Sequence, residues 1–213
     1  MTRLLLIRHG ESTANREEVF SGHYDIDLEE KGKLQAKQTA EYVVRTYQID
    51  KVYASDLKRA YETGKAVADI IGIDVVTDTR LREVYGGKWE AVKFLELPQL
   101  YPEDYKTWME DIGNVRCTGG ESIREMAQRV YDAVLEIAKE NEGKTIVIAT
   151  HATPIRALQS MIQTGGTEKM QQIRWVTNAS VSELEYVDGC WKYIKIGYDE
   201  HLEELCSSLP EDI

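Results

Sequence analysis

Only three cysteines occur in 213 residues: Cys117, Cys190 and Cys206. They are scattered, odd in number and without paired spacing. That excludes a disulfide framework and argues against a cysteine zinc site, and it points to a reducing, cytoplasmic setting. Long apolar runs are lacking as well. No stretch has the length that a membrane-spanning helix requires, so no membrane partner is expected, and the run Leu4 to Ile7 is too short for a signal peptide. Basic residues are in deficit: 26 Lys and Arg stand against 37 Asp and Glu, a formal net charge of -11. A nucleic-acid-binding surface needs the opposite excess, so no nucleic-acid partner is expected. The same field weakly repels phosphorylated metabolites, and any phosphate site must bring its own local cations. Internal repeats and low-complexity linkers are absent. Asn178-Ala179-Ser180 has the form of a glycosylation acceptor, which carries no meaning without export.

What is present is ordinary globular composition, 42% hydrophobic and 30% charged, enough for one well-buried core. A single domain over residues 1–213 is expected. Leu4 to Ile7 is unbroken and apolar, as in a strand buried on both faces. Residues 11–27 are polar and read as a loop over its end. Asp27 is placed to cap a helix running to about Tyr47, with Ala36, Ala40, Val43, Val44 and Tyr47 on its apolar face. Lys51 to Ala54 reads as a second strand, with Ser55 at a helix N-cap position and Gly72 closing that helix. Val75 and Val76 suggest a third strand. Residues of about 86–120 are irregular and aromatic, and read as a partly helical cap. Ser122 and Glu125 form a capping box before a helix that Gly143 ends. Thr145 to Thr150 is the strongest strand, and Thr153 and Pro154 have the cap and first-turn chemistry of a helix start. Asp188-Gly189 is a hairpin turn signal between two alternating segments, an antiparallel pair at a sheet edge that either pairs with a second subunit in a homodimer or is simply capped. The acidic residues from Asp199 onward are expected to fray. The predicted fold is α/β: a three-layer sandwich with a mostly parallel central sheet, helices on both faces and an antiparallel edge hairpin.

Two of the buried strands end in histidine, His9 and His151. Parallel strands share an edge at their carboxyl ends, where ligands gather in open α/β sheets. The rings can therefore meet although they are distant in sequence. Arg8 accompanies the first ring, and Arg59 lies in the first turns of the helix after the Lys51–Ala54 strand. A solvated surface position is the usual fate of such an arginine. At a ligand edge, two guanidiniums instead offer fork-like donors that suit phosphate. A metal would explain paired histidines, but two arginines would repel it and no His-Glu-x-x-His spacing exists. Gly143-Lys144-Thr145 hints at a phosphate-binding loop, but Ala138 replaces the required glycine and the loop precedes its strand. A serine nucleophile lacks its Gly-x-Ser-x-Gly elbow. What remains is a phosphate pocket with an imidazole able to attack phosphorus.

At this point the chain resembles the histidine phosphatase superfamily, the phosphoglycerate-mutase-like family. The resemblance is carried by Arg8-His9-Gly10-Glu11-Ser12 with Asn15, by Ser55-Asp56-Leu57-Lys58-Arg59-Ala60 with Thr63, and by Leu81-Arg82-Glu83 with Gly87 and Trp89-Glu90. Gly119-Gly120-Glu121-Ser122 and the segment from Thr150 to Leu158 complete it. The resemblance implies that His9 is the nucleophile and becomes phosphohistidine. It implies that Arg8, Arg59 and His151 hold the phosphoryl oxygens, helped by Asn15, Ser21 and Gly22. Glu83 would give a proton to the leaving alkoxide and then take one from water. No metal or other cofactor is implied, and the partner is a small phosphorylated substrate. Ala91 and Ala152 stand where many relatives have glycine, at positions expected to accept small residues. The segment between Glu83 and Gly119 is shorter than the caps of mutases. The expected activity is therefore a phosphomonoesterase, with a phosphoglycerate-mutase-type isomerase as the alternative and a catalytically silent binding protein as a third.

Overall fold

In the computed structural model, which describes residues 1–209, six strands form one sheet in the order β3-β2-β4-β1-β5-β6. They are β1 (Thr2–Arg8), β2 (Lys51–Ala54), β3 (Val75–Thr77), β4 (Thr145–Thr150), β5 (Val181–Val187) and β6 (Cys190–Tyr198). The strands β3, β2, β4 and β1 run parallel to one another, whereas β5 pairs antiparallel with β1 and β6 antiparallel with β5. The hairpin turn places Asp188 at φ 49° and Gly189 at φ 84°, the left-handed pair that the Asp-Gly signal predicts.

Side chains alternate across β1. Leu4 and Leu6 enter one apolar cluster and Leu5 and Ile7 the other, so the run is buried on both faces. Helices α2 (Glu30–Thr46) and α3 (Lys58–Ile71) cover the smaller cluster through Ala40, Val43, Val67 and Ala68. Helices α6 (Ile123–Glu140) and α7 (Ala152–Thr164) cover the larger one. That cluster runs on into residues 86–120, where Trp89, Leu97, Trp108, Ile112 and Val115 join it around two short helices, α4 (Leu97–Leu100) and α5 (Pro102–Glu110). Gly64 lets α3 lie close on the sheet, since a β-carbon there would meet those of Ala149 and Ala54 at 3.1 and 3.3 Å.

Several local expectations are corrected. The 11–27 segment contains a helical turn, α1 (Thr13–Glu17), opened by a Ser12/Asn15 capping box. Asp27 does not cap α2; Glu29 precedes the helix and makes no side-chain cap. The cause is tertiary. Glu29 N–H donates to Glu11 O at 2.9 Å and Ser12 pairs with Leu28, which keeps the backbone extended until Glu30. The start of α2 comes so close to this loop that only glycine fits at Gly32, where a β-carbon would stand 2.0 Å from Glu11 O. Helix α7 begins at Ala152 with His151 in the N-cap place, two residues before Pro154. Pro154 remains in the first turn, where no intrahelical bond needs its missing N–H. The tail from Asp199 does not fray over the described residues. A turn at Glu200–Leu205 buries Leu202 and stacks His201 on Tyr42, with ring centroids 4.6 Å apart; residues 210–213 lie outside the described residues.

Candidate active site

The strand register brings the two histidines together. Arg8 of β1 pairs with Thr150 of β4, and one further step along each strand gives His9 and His151. His9 N–H donates to Thr150 O at 2.9 Å, and the two rings lie edge to face with centroids 5.2 Å apart. Both are buried. The Nδ1 of His9 sits 2.7 Å from Gly10 O. A carbonyl can only accept, so Nδ1 carries the proton and Nε2 keeps its lone pair. Burial, then Arg59 and Arg8, hold the His9 ring well below the usual imidazole range. Burial, then Arg59 and His9, do the same to His151.

Arg59 is not a solvated arginine. It is fully buried and donates to Gly22 O at 2.8 Å and Tyr24 O at 3.2 Å. Thr63, one turn along α3, accepts from Gly10 N–H at 3.1 Å and donates to Arg59 O at 2.7 Å, tying the helix to the loop after His9. Arg8 donates to Val176 O at 2.6 Å. Burial brings both guanidiniums down to about 10 while Glu83 opposes the shift, so both stay charged at neutral pH. Arg8 Nε, Arg59 Nε and His151 Nδ1 are buried without a protein partner. Buried polar groups are normally paired. These three unpaired nitrogens lie on the residues that surround His9.

Glu83 is nearly buried. Its carboxylate accepts from Val84 N–H at 2.8 Å and Thr153 N–H at 3.3 Å. Arg129 and His23 hold the Glu83 carbonyl at 2.7 and 2.8 Å. Arg8, His9, Asn15, Ser21, Gly22 and Glu83 line one cavity of about 610 Å³; Arg59 and His151 are fully buried and do not line it. Asn15 Oδ1 accepts from Ser12 N–H at 3.1 Å and from Asn178 Nδ2 at 3.2 Å, which leaves its amide nitrogen for the cavity. The same cavity is also lined by the aromatic wall of Phe20, Phe94, Trp108 and Trp175. At the rim, Glu11 accepts from Lys31 at 3.1 Å and from Ser207 at 2.9 Å.

Two supporting residues were not legible as such. Ser55 does not cap α3, which starts after Leu57; its hydroxyl contacts His151 instead. Asn178, notable in the sequence only as a glycosylation acceptor, is buried and donates to His9 O at 3.1 Å. No local pattern could have shown either contact, because each partner comes from a distant segment. Of the two alanines, Ala152 opens α7 without strain, whereas Ala91 sits at φ 62°, where glycine is the unstrained residue.

Residues 4–199 match the family model described as the histidine phosphatase superfamily, branch 1. The chain is 35% identical over 158 residues to phosphoserine phosphatase 1 of Hydrogenobacter thermophilus, covering 74% of each. It is 33% identical over 204 residues to phosphoglycerate mutase-like protein 4 of Arabidopsis thaliana, covering 94% of this chain and 87% of that one. Among solved structures, a mycobacterial glucosyl-3-phosphoglycerate phosphatase in complex with VO3 superposes with a TM-score of 0.85 at 27% identity, over 92% of this chain and 99% of that one.

Proposed function

We propose, from the premise that this chain belongs to the histidine phosphatase superfamily, that it hydrolyses small phosphate monoesters through a phosphohistidine on His9. The phosphatases among its relatives support the hydrolytic activity. The observation that carries the mechanism is the fixed tautomer of His9. Its Nδ1–H is engaged by Gly10 O, so the free lone pair is on Nε2, and Arg8, Arg59 and His151 around it each carry a buried nitrogen without a protein partner.

The reaction then runs in two in-line steps. The Nε2–P bond forms as the P–O bond to the leaving group breaks, and Glu83, carrying a proton, delivers it to the departing oxygen. Water next attacks phosphorus, the N–P bond breaks, and Glu83 takes the water's proton. Arg8, Arg59, His151 and the Asn15 amide hold the phosphoryl oxygens, and Ser21 and Gly22 bound the site. Phosphoryl transfer needs mainly positioning and charge stabilisation. The two guanidiniums provide that charge, so the route requires no metal. The neutral state of His9 is a condition of the first step, since a protonated ring has no lone pair to give.

Residues 86–120 act as a cap: Phe94 and Trp108 wall the side of the cavity where the leaving group would sit. Three unpaired cysteines, one buried, one half-buried and one exposed, suit a reducing cytoplasm. Among the described residues no helix is long and apolar enough to cross a membrane. The mutase-like relative keeps an isomerase reading in play, in which the phosphoryl group returns to substrate instead of passing to water.

The test is a rapid quench with an isotopically labelled phosphate ester. The label is expected on His9, with free phosphate as the product. His9→Ala is expected to lose at least roughly 10,000-fold in turnover, as when other covalent nucleophiles are removed. Label on another side chain, or undiminished turnover by the variant, overturns the mechanism. Isomerisation of phosphoglycerate outpacing phosphate release would favour the mutase.

A further inference from the structure

Ser55 follows the last residue of β2 and is fully buried. Its position comes from the sheet. Ala54 pairs with Ala149, and Ser55 N–H donates to Ala149 O at 2.9 Å. The hydroxyl therefore lands beside the residue that follows β4. Ser55 Oγ lies 2.9 Å from Nε2 of His151 and 3.3 Å from the backbone nitrogen of Leu57.

A serine hydroxyl has one proton to donate and two lone pairs to offer. Leu57 N–H takes one lone pair. Among the described residues, His151 Nε2 is the one acceptor within reach of the hydroxyl proton. Either tautomer leaves one buried proton without a protein acceptor, the Ser55 hydroxyl proton if Nε2 is protonated and the Nδ1 proton if it is not; the hydroxyl proton faces only the ring, whereas the Nδ1 proton is open to a bound oxyanion. The bond therefore runs from Ser55 to Nε2, and the imidazole proton sits on Nδ1. That Nδ1 is the buried ring nitrogen without a partner.

We propose that Ser55 is a positioning residue for phosphoryl transfer, which holds His151 as the Nδ1–H tautomer so that its free ring nitrogen donates to the phosphoryl group. The two imidazoles are then the same Nδ1–H tautomer but offer opposite nitrogens, because His9 has its Nδ1–H engaged and His151 its Nε2. Gly10 O accepts from His9 and leaves a lone pair for attack; the Ser55 hydroxyl donates to His151 and leaves an N–H for stabilisation. Both rings are kept neutral by burial and Arg59, and a neutral imidazole donates from one nitrogen only, so the choice of tautomer decides whether His151 attracts or repels an oxyanion. The inference rests on the reading of His9 as nucleophile, but its first test does not.

That test is nuclear magnetic resonance of the ligand-free full chain with isotope-labelled histidine, the His151 signals being assigned with His151→Gln. Protonated Nδ1 and bare Nε2 are expected in the wild type. Ser55→Ala is expected to shift the population towards Nε2–H and to lower kcat/KM roughly 10- to 100-fold, by analogy with the loss of outer residues that orient metal-ligating histidines. Ser55→Thr, which keeps the hydroxyl, is expected to restore both. A wild-type His151 protonated on Nε2 overturns the proposal even if Ser55→Ala does not fold. So does a folded Ser55→Ala with wild-type tautomer and rate. If His9→Ala stays active, the nucleophile assignment fails while the spectrum still decides the tautomer.

Discussion

On the floor of the cavity, Arg8, His9, Arg59 and Glu83 are each tied to the backbone: to Val176 O, to Gly10 O, to Gly22 O and Tyr24 O, and to the N–H groups of Val84 and Thr153. On the wall, Phe20, Phe94 and Trp108 meet mainly through ring contacts, with centroids of 5.5 to 5.6 Å around Phe20. Trp175 stacks on Trp108 and lies under the Arg156 guanidinium at 4.2 Å. Hydrogen bonds fix direction, whereas ring packing fixes only shape. A floor built on the first can hold one transition state within tenths of an ångström. A wall built on the second accepts a range of leaving groups and distinguishes them by size and polarity.

The difference can be broken most severely at the floor. Glu83→Gln keeps the shape of the side chain and removes the transferable proton. It is expected to lower kcat roughly 100- to 10,000-fold for alkyl phosphates, and far less for p-nitrophenyl phosphate, whose leaving group departs without a proton. Equal losses on both esters in a phosphate-release assay would remove Glu83 from the acid role.

Acid should act on the same region. His9 and His151 are held below their unfolded value of about 6.5. In the window between the folded and unfolded values the unfolded chain binds more protons, so stability rises with pH there. This contribution is complete above about 6.5 and is lost as pH falls towards the folded values, with a slope of up to about 1.4 kcal/mol per pH unit for each ring. Urea unfolding as a function of pH reads it. His151→Gln should reduce the slope, and an unchanged slope would mean that the ring is not held neutral. Activity should show no titration of His9 at 6.5 in the free enzyme.

The wall should respond more mildly and selectively. Phe94→Ala is expected to lower kcat/KM about 10-fold for esters with bulky apolar leaving groups and to leave small polar esters nearly unchanged. A uniform loss over both classes would show that the wall supports the floor and does not select. The smallest effect concerns the cap backbone. Ala91→Gly relieves the left-handed residue at φ 62° and is expected to stabilise the fold by about 0.5–1 kcal/mol, the strain relieved exceeding the entropy that glycine adds to the unfolded chain. Thermal unfolding with unaltered kcat would support this; a lower melting temperature would contradict it.

Sequence alone carried the floor further than the wall. His9 and His151 were legible because each ends an apolar run, and two such runs in a parallel sheet must finish at one edge. The capping box of Ser122 and Glu125 was legible because both partners lie within four residues. Arg59 was legible as a cation near a helix start, yet its burial was not, because the groups that receive it, Gly22 O and Tyr24 O, belong to another loop. The start of α2 at Glu30 was missed for the same reason: Glu11, not a local cap, decides it.

Apolar periodicity and local capping thus determined which segments became strands and helices, and with them the edge at which Arg8, His9 and His151 emerge. Those signals act over one or two turns of chain, so they survive in the sequence. Tertiary structure alone decided which polar atoms face one another: Asn178 on His9 O across 169 positions, Ser55 on His151 across 96, and the tail on Glu11 across 196. Hydrogen-bond partners far apart in the chain leave no periodicity behind, and only the folded sheet and its helices set the distance between them.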